Sequence, residues 1–487
     1  MQRAGGLTGS VAGVALVAGV ASAHELDATA VQSPVPLSLL YAGAGATVAV
    51  TAGWLGFGDR TTVAAADRDD TLPDRTVVRL PPAVAVAAGR VARGGFLVLF
   101  GSALVHGVVG PAAPAENLAT VVLWPLVLKG VGLVAAVAGS PWRLVSPWET
   151  LYDLLVAVEG DRVAVLGEYP DRLGSWPAVV GFLAGVGVLE NLTVVTRSPS
   201  LTAGVGDVYA ALTLAGGVAF GREWFARADA LAVLFRLLGR VAPIRVERTS
   251  DRGARMQVRP PWTGCLVPVA DVSVIVFVVG AVYTVSFDGF TATATFQGLR
   301  FAARAAAGPG VAGVGLYLAG LALFVASYWV AAALAVRLGR GGTDDWSRHG
   351  PTGAAGGADA TPTGDREGAA VAFAGTVVPI AAAYEVAHTY PYVAANLGRA
   401  LAVGRELAGG AETTVALLGW LPVAGFWASQ VLLVVGGHVA GVVAAHRVAT
   451  AHATTPADAR RMHAPLVVLM VLYTVLSLWI VSRPLAA

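Results

Sequence analysis

The strongest constraint on this chain is a series of apolar stretches, each close to the length of a bilayer crossing. A crossing takes about 20 apolar residues at about 1.5 Å of rise each. Ten stretches meet that length: residues 36–58, 94–112, 118–138, 176–196, 200–220, 264–286, 311–337, 369–391, 419–446 and 465–482. Composition points the same way, because 56% of the 487 residues are apolar and 13% are charged, against roughly 25% charged in a soluble chain. The expected fold class is an all-α integral membrane protein, a polytopic bundle of about ten transmembrane helices with interfacial helices on its inner face. The lipid bilayer is then its first partner. Thirty-three basic and 31 acidic side chains leave a net charge of +2, so no nucleic-acid footprint is expected. The single cysteine, Cys265, excludes a disulfide framework and a thiolate zinc site.

The organisation expected along the chain has four parts. Residues 1–23 combine Arg3, an apolar run and Ala-Ser-Ala, the pattern of a cleaved signal peptide. Residues 24–339 form a membrane domain of about seven spans, 340–368 a flexible Gly/Thr/Asp-rich cytoplasmic linker, and 369–487 a membrane domain of about three spans. Two segments, 140–155 and 221–240, set Trp, Phe and Leu beside charges at helical spacing, as interfacial anchors do. Glycine pairs Gly181/Gly185 and Gly437/Gly441 predict close helix packing.

Orientation follows from the arginines, since basic residues collect in cytoplasmic loops. With ten spans and an external start, 25 arginines fall on inner loops and six on outer ones. The expected topology is therefore N-terminus and C-terminus outside, in the plasma membrane.

Ionisable groups at bilayer depth are costly and are functional candidates by default. A helix-rise ruler places His106, Glu190, Asp207, Asp288, Glu385, His388 and Gln430 in the outer half, and Lys129, Asp271, His438 and His446 in the inner half. On that ruler the outer acids have no basic residue to neutralise them, so a bound cation or shared proton is expected to hold them together. Glu385 and His388 form E-x-x-H, which puts both on one helix face, a spacing that supplies metal ligands in helical bundles. His438 and His446 share a face but lie about 12 Å apart along the axis, too far to share one ion. His24, the first residue after the expected cleavage, offers an amine and an imidazole for a divalent metal. Against these stand plainer readings: buried histidines bonded to backbone, and Asp207 and Asp271 at span ends.

Several segments carry a family resemblance: PVPLSLLYAG (35–44), ENLATVVLW (116–124), SPWRLVSPWETL (140–151), residues 220–244, VRPP (258–261), SFDGF (286–290), VPIAAAYEVAH (378–388), and 437–449 with 469–474. In these the chain resembles the prokaryotic multi-pass family identified as fenitrothion hydrolase-like, over roughly residues 35–482 in the same order. Asp288, His388, His438 and His446 lie inside the resembling segments and Gln430 shortly before the last pair, whereas Glu385 stands where a small residue is usual. The resemblance implies organophosphate or phosphotriester hydrolysis. On that reading Asp288, His388 and Glu385 are the catalytic set, and His388, His438, His446 and His106 are metal ligands for a divalent ion that activates water, with Gln430, Glu190 and Asp207 as further polar residues. A second expectation, of a different class, is a transporter or a proton or metal-ion permease using the same acids and histidines along a path to the inner face. A third is a non-catalytic membrane subunit. The substrate is a small molecule in the first case and a small molecule or ion in the second.

Overall fold

Lipid offers no hydrogen bonds to a backbone, so a chain this apolar must satisfy its amides within helices. The computed structural model describes residues 37–57, 75–250, 252–339, 362–411 and 415–481. The expected signal at 1–23, His24, and residues 340–361 of the expected linker lie outside the described residues. Among the described residues, nine helices are long and apolar enough to cross a membrane. The fold is an all-α polytopic bundle.

In chain order the elements are α1 (Leu37–Phe57), β1 (Arg75–Leu80), α2 (Pro82–Val109), α3 (Ala119–Ala138), α4 (Trp142–Val145), α5 (Pro147–Glu159), α6 (Asp171–Glu190) and α7 (Pro199–Phe220). There follow α8 (Arg222–Arg227), α9 (Ala230–Leu238), β2 (Ile244–Arg248), β3 (Ala254–Val258), α10 (Val272–Thr291), α11 (Ala294–Ala307) and α12 (Pro309–Leu338). The last are α13 (Pro362–Ala374), α14 (Val378–Leu407), α15 (Val423–His452) and α16 (Pro456–Val481). A 3-10 turn, Gly375–Val377, joins α13 to α14, and the two make one crossing, Arg366–Leu407. Besides the nine, α1 is an apolar helix of 21 residues packed on α15 and α16. Each of the ten apolar stretches therefore falls on a helix.

Boundaries differ from expectation where charge is paired rather than hydrated. α2 begins at Pro82 and carries Arg90 and Arg93 within its first half. Arg93 stays there because Nη1 donates to Asp153 Oδ2 at 2.7 Å and Nε to the Leu144 carbonyl at 3.2 Å. Residues 362–368 of the expected linker are helical, in α13. α10 starts at Val272 because Asp271 caps it, its carboxylate accepting from the Ser273 and Val274 amides. Asp271 is thus a capping residue at a span end.

The two segments expected to anchor in lipid turn their aromatic faces into the protein instead. Trp142, Trp148 and Phe235 are buried and pack edge to face, with ring centroids 5.1–5.3 Å apart for the Trp142 pairs. Only α5 keeps an exposed apolar edge, at Leu151, Leu154 and Val158; α9 is held between α3 and α6. The knot between these pieces is Asp229. Its carboxylate accepts from Trp142 Nε1 (3.0 Å), Trp148 Nε1 (2.8 Å), the Tyr209 hydroxyl (2.7 Å) and the Leu231 amide (2.9 Å). Burial raises the Asp229 pKa from the ordinary carboxylate range, against the pull of those donors. Burial, and next the charge of Asp229, push the neighbouring Glu149 up to about 7.

Close helix packing follows the expected glycines in part. A Cβ at Gly437 would lie 2.3 Å from Ala383 Cβ and 2.6 Å from the Pro379 carbonyl, so only glycine lets α15 meet α14 there. At Gly441 the Thr376 carbonyl would be 3.0 Å away, whereas a Cβ at Gly185 would meet nothing within 4 Å.

A small antiparallel sheet, in the order β1-β3-β2, was not expected. It joins the connection between α1 and α2 to the connection between α7 and α10. Arg460 Nη1, at the start of α16, donates to the Gly56 carbonyl at the end of α1 (3.0 Å), and the Tyr41 hydroxyl near the start of α1 donates to the Leu478 carbonyl (2.7 Å). With α1 counted as a crossing, each pairing joins ends that an alternating ten-pass path puts on one side.

Candidate functional site

Lys129 is the chain's only lysine, and it is buried. The backbone that presents it is unusual: α3 is π-wound over Ala119–Gly130, with Pro125 inside it. α6 changes to the same winding over Leu183–Glu190, and Glu190 is the last residue of that stretch. Such winding is rare and concentrates at functional sites. The third element, α14, presents Glu385.

These elements bring three charges together. Lys129 Nζ lies 3.3 Å from Glu190 Oε1 and 3.3 Å from Glu385 Oε1, with the three side chains 7%, 8% and 11% exposed. Asp288, near the end of α10, acts electrostatically on both Lys129 and Glu190. The depth ruler is corrected here: Lys129 does not sit apart in the inner half, and the acids do have a basic neighbour. A ruler laid along an ideal helix omits the π winding and the reach of a four-carbon stem.

A cavity of about 30 Å³ adjoins the cluster, lined among others by Lys129, Asn191, Thr284, Asp288 and Glu385. That is room for one or two waters, far below the roughly 300 Å³ at which small-molecule sites begin. Three buried polar atoms have no hydrogen-bond partner among the described residues: Asn191 Oδ1, on a residue that lines the cavity, and Glu190 Oε2 and the Tyr384 hydroxyl, on residues adjacent in sequence to the lining residues Asn191 and Glu385. Tyr384 stacks on His388, ring centroids 5.7 Å apart, on the face of α14 that also carries Glu385.

α14 passes Pro391 without ending. A proline leaves the carbonyl four residues earlier without its helical donor, here Ala387, and Gln430 Nε2 of α15 donates to that carbonyl at 2.5 Å. Gln430 is therefore a brace between α14 and α15 one turn from the cluster.

The other expected site residues lie apart from it. His106 Nδ1 accepts from the Leu118 amide at 3.2 Å, fixing the loop after α2. His438 Nδ1 bonds the Val434 carbonyl at 2.7 Å, and its Nε2 is buried without a partner among the described residues. His446 packs on His463, ring centroids 5.0 Å apart. Asp207 is exposed on α7. Among the described residues no three His, Cys, Asp or Glu side chains gather as a metal-holding group, so His106, His388, His438 and His446 form no common centre. Lys129, Asn191 and Tyr384 are the residues that sequence reasoning left out of the site. A lone lysine in mid-span was the available sign for the first.

No family model, no curated protein and no solved structure matches the chain.

Proposed function

We propose that this protein moves an ion across the membrane, as a transporter or permease, with Lys129, Glu190, Glu385 and Asp288 as its coupling centre. One observation carries the reading: a buried ammonium held 3.3 Å from each of two glutamates inside the bundle. Charges at that depth are expensive to keep. Three carboxylates around one ammonium also leave excess negative charge for a passing cation to neutralise. The π-wound stretches depart from regular α-helix winding and Pro391 interrupts the α-helical ladder of its own helix, irregularities of the kind that mark functional sites in helices. On the arginine bias both termini lie outside, which puts the cluster nearer the outer face, and the family resemblance implies a prokaryotic plasma membrane.

The hydrolase reading rests on the family resemblance. It needs a metal or an activated water beside a substrate-sized pocket, and the cavity at the cluster is an order of magnitude too small for a phosphotriester.

Purified protein in liposomes, subjected to an imposed membrane potential, is expected to pass charge well above empty liposomes. Glu385→Gln is expected to reduce that current at least tenfold. No current from the wild type, together with phosphotriester turnover in detergent that His388→Ala abolishes, would overturn the proposal in favour of hydrolysis.

A further inference from the structure

We propose that the ion moved is the proton, loaded through a single water bridging Glu190 and Asn191 beside Lys129. The inference rests on the transport reading above and names its ion.

Two buried acceptors here lack donors among the described residues. Asn191 Nδ2 donates to the Val186 carbonyl at 2.6 Å, which orients the amide and leaves Oδ1 without a donor among the described residues. Its neighbour Glu190 gives Oε1 to Lys129 and leaves Oε2 buried and without a partner among the described residues. Two buried acceptors with no donor are costly, and a water, with two protons to give, satisfies both. The cavity lined by Asn191 and Lys129 holds one or two waters. The Lys129 ammonium has three protons, of which Glu190 and Glu385 take two, so the third is left for the oxygen of that water.

An alkali ion fits less well. It would need a shell of oxygens around a point that the ammonium already dominates, whereas a proton needs one carboxylate oxygen. Loading is simple to balance: an entering hydronium gives its proton to Glu190 Oε2 and becomes the bridging water. Release returns that proton to a water on the opposite side and restores the carboxylate. The groups facing the site are Lys129 on α3, Glu190 on α6, Asp288 on α10, and Tyr384, Glu385, His388 and Tyr392 on α14, with Arg399 acting on Tyr392. The buried Tyr384 hydroxyl feels Asp288 and Glu385 and stacks on His388, which makes these two the next stations for a proton on α14.

The test uses liposomes holding a pH-sensitive dye, with an inside-negative potential set by a potassium gradient and valinomycin. Internal acidification in sodium-free choline medium is expected, with no uptake of radioactive sodium, an ion that valinomycin does not carry. Asn191→Leu, which removes the acceptor at similar volume, is expected to lower the acidification rate at least tenfold while its unfolding temperature in detergent stays near that of the wild type. Charge movement that requires sodium, without acidification, would overturn this inference and leave the transport reading standing. So would a folded Asn191→Leu protein with unchanged proton flux. Absence of any charge movement would remove both.

Discussion

Replacing Lys129 with methionine is expected to destabilise the folded protein by about 3–5 kcal/mol, the cost of stripping a buried ion pair of one partner. Methionine matches the stem but not the charge, so Glu190, Glu385 and Asp288 would confront one another in a water-poor interior. The measurement is unfolding in detergent, by heat or denaturant, followed by helical circular dichroism. A second variant separates charge from shape. Lys129→Met combined with Glu190→Gln and Glu385→Gln is expected to recover most of the lost stability, because an all-neutral replacement of a buried ion set is often tolerated. The triple variant is nonetheless expected to pass no current in liposomes. If Lys129→Met unfolds within 1 kcal/mol of the wild type, the three charges are not the close set seen here, 3.3 Å between partners.

Asp229→Ala is the second large loss. It removes the shared acceptor of Trp142, Trp148, Tyr209 and the Leu231 amide and the cap of α9. A lost cap costs about 1 kcal/mol, and each buried donor left unpaired about 1–3 kcal/mol. Relaxation and solvent entry make these less than additive, so a loss of about 4 kcal/mol is expected. Asp229→Asn keeps one oxygen and a similar shape, and is expected to lose roughly half as much. Equal stability of wild type and Asp229→Ala in the same unfolding assay would show that the indoles do not depend on this carboxylate.

Much of the fold was legible because a bilayer imposes a crude rule: about 20 apolar residues per crossing. Each of the ten stretches carries a helix. What the rule misses is charge that the fold neutralises. Arg90 and Arg93 made the start of α2 read as a loop, yet Arg93 is paired with Asp153 from a distant connection. The segments around Trp142 and Phe235 have an interfacial pattern, but hydrophobic spacing says only which residues leave water, not whether lipid or protein receives them. Here Asp229 decides, by offering the indoles an acceptor inside the protein.

The site was half legible. Glu190, Asp288, Glu385 and His388 were visible as ionisable groups in apolar surroundings. Their grouping with Lys129 was not, because it depends on π winding in α3 and α6 that no periodicity announces. E-x-x-H correctly set Glu385 and His388 on one face, while the partner of Glu385 proved to be an ammonium and that of His388 an aromatic ring. Gln430 was noticed for its depth, whereas its role follows from Pro391 on another helix.

Because Lys129 is the only lysine in 487 residues, the centre can be observed without a substitution. Protein grown with nitrogen-15 lysine and carbon-13 glutamate, studied in lipid by solid-state NMR, contains a single lysine side-chain nitrogen. That nitrogen is expected to be an ammonium and to show transfer to two glutamate carboxyl carbons within about 4–5 Å, the range of hydrogen-bonded ion pairs. One of the two correlations is expected to vanish in Glu385→Gln. A lysine nitrogen with no nearby glutamate carboxyl, or one in contact with water alone, would contradict the account at its centre.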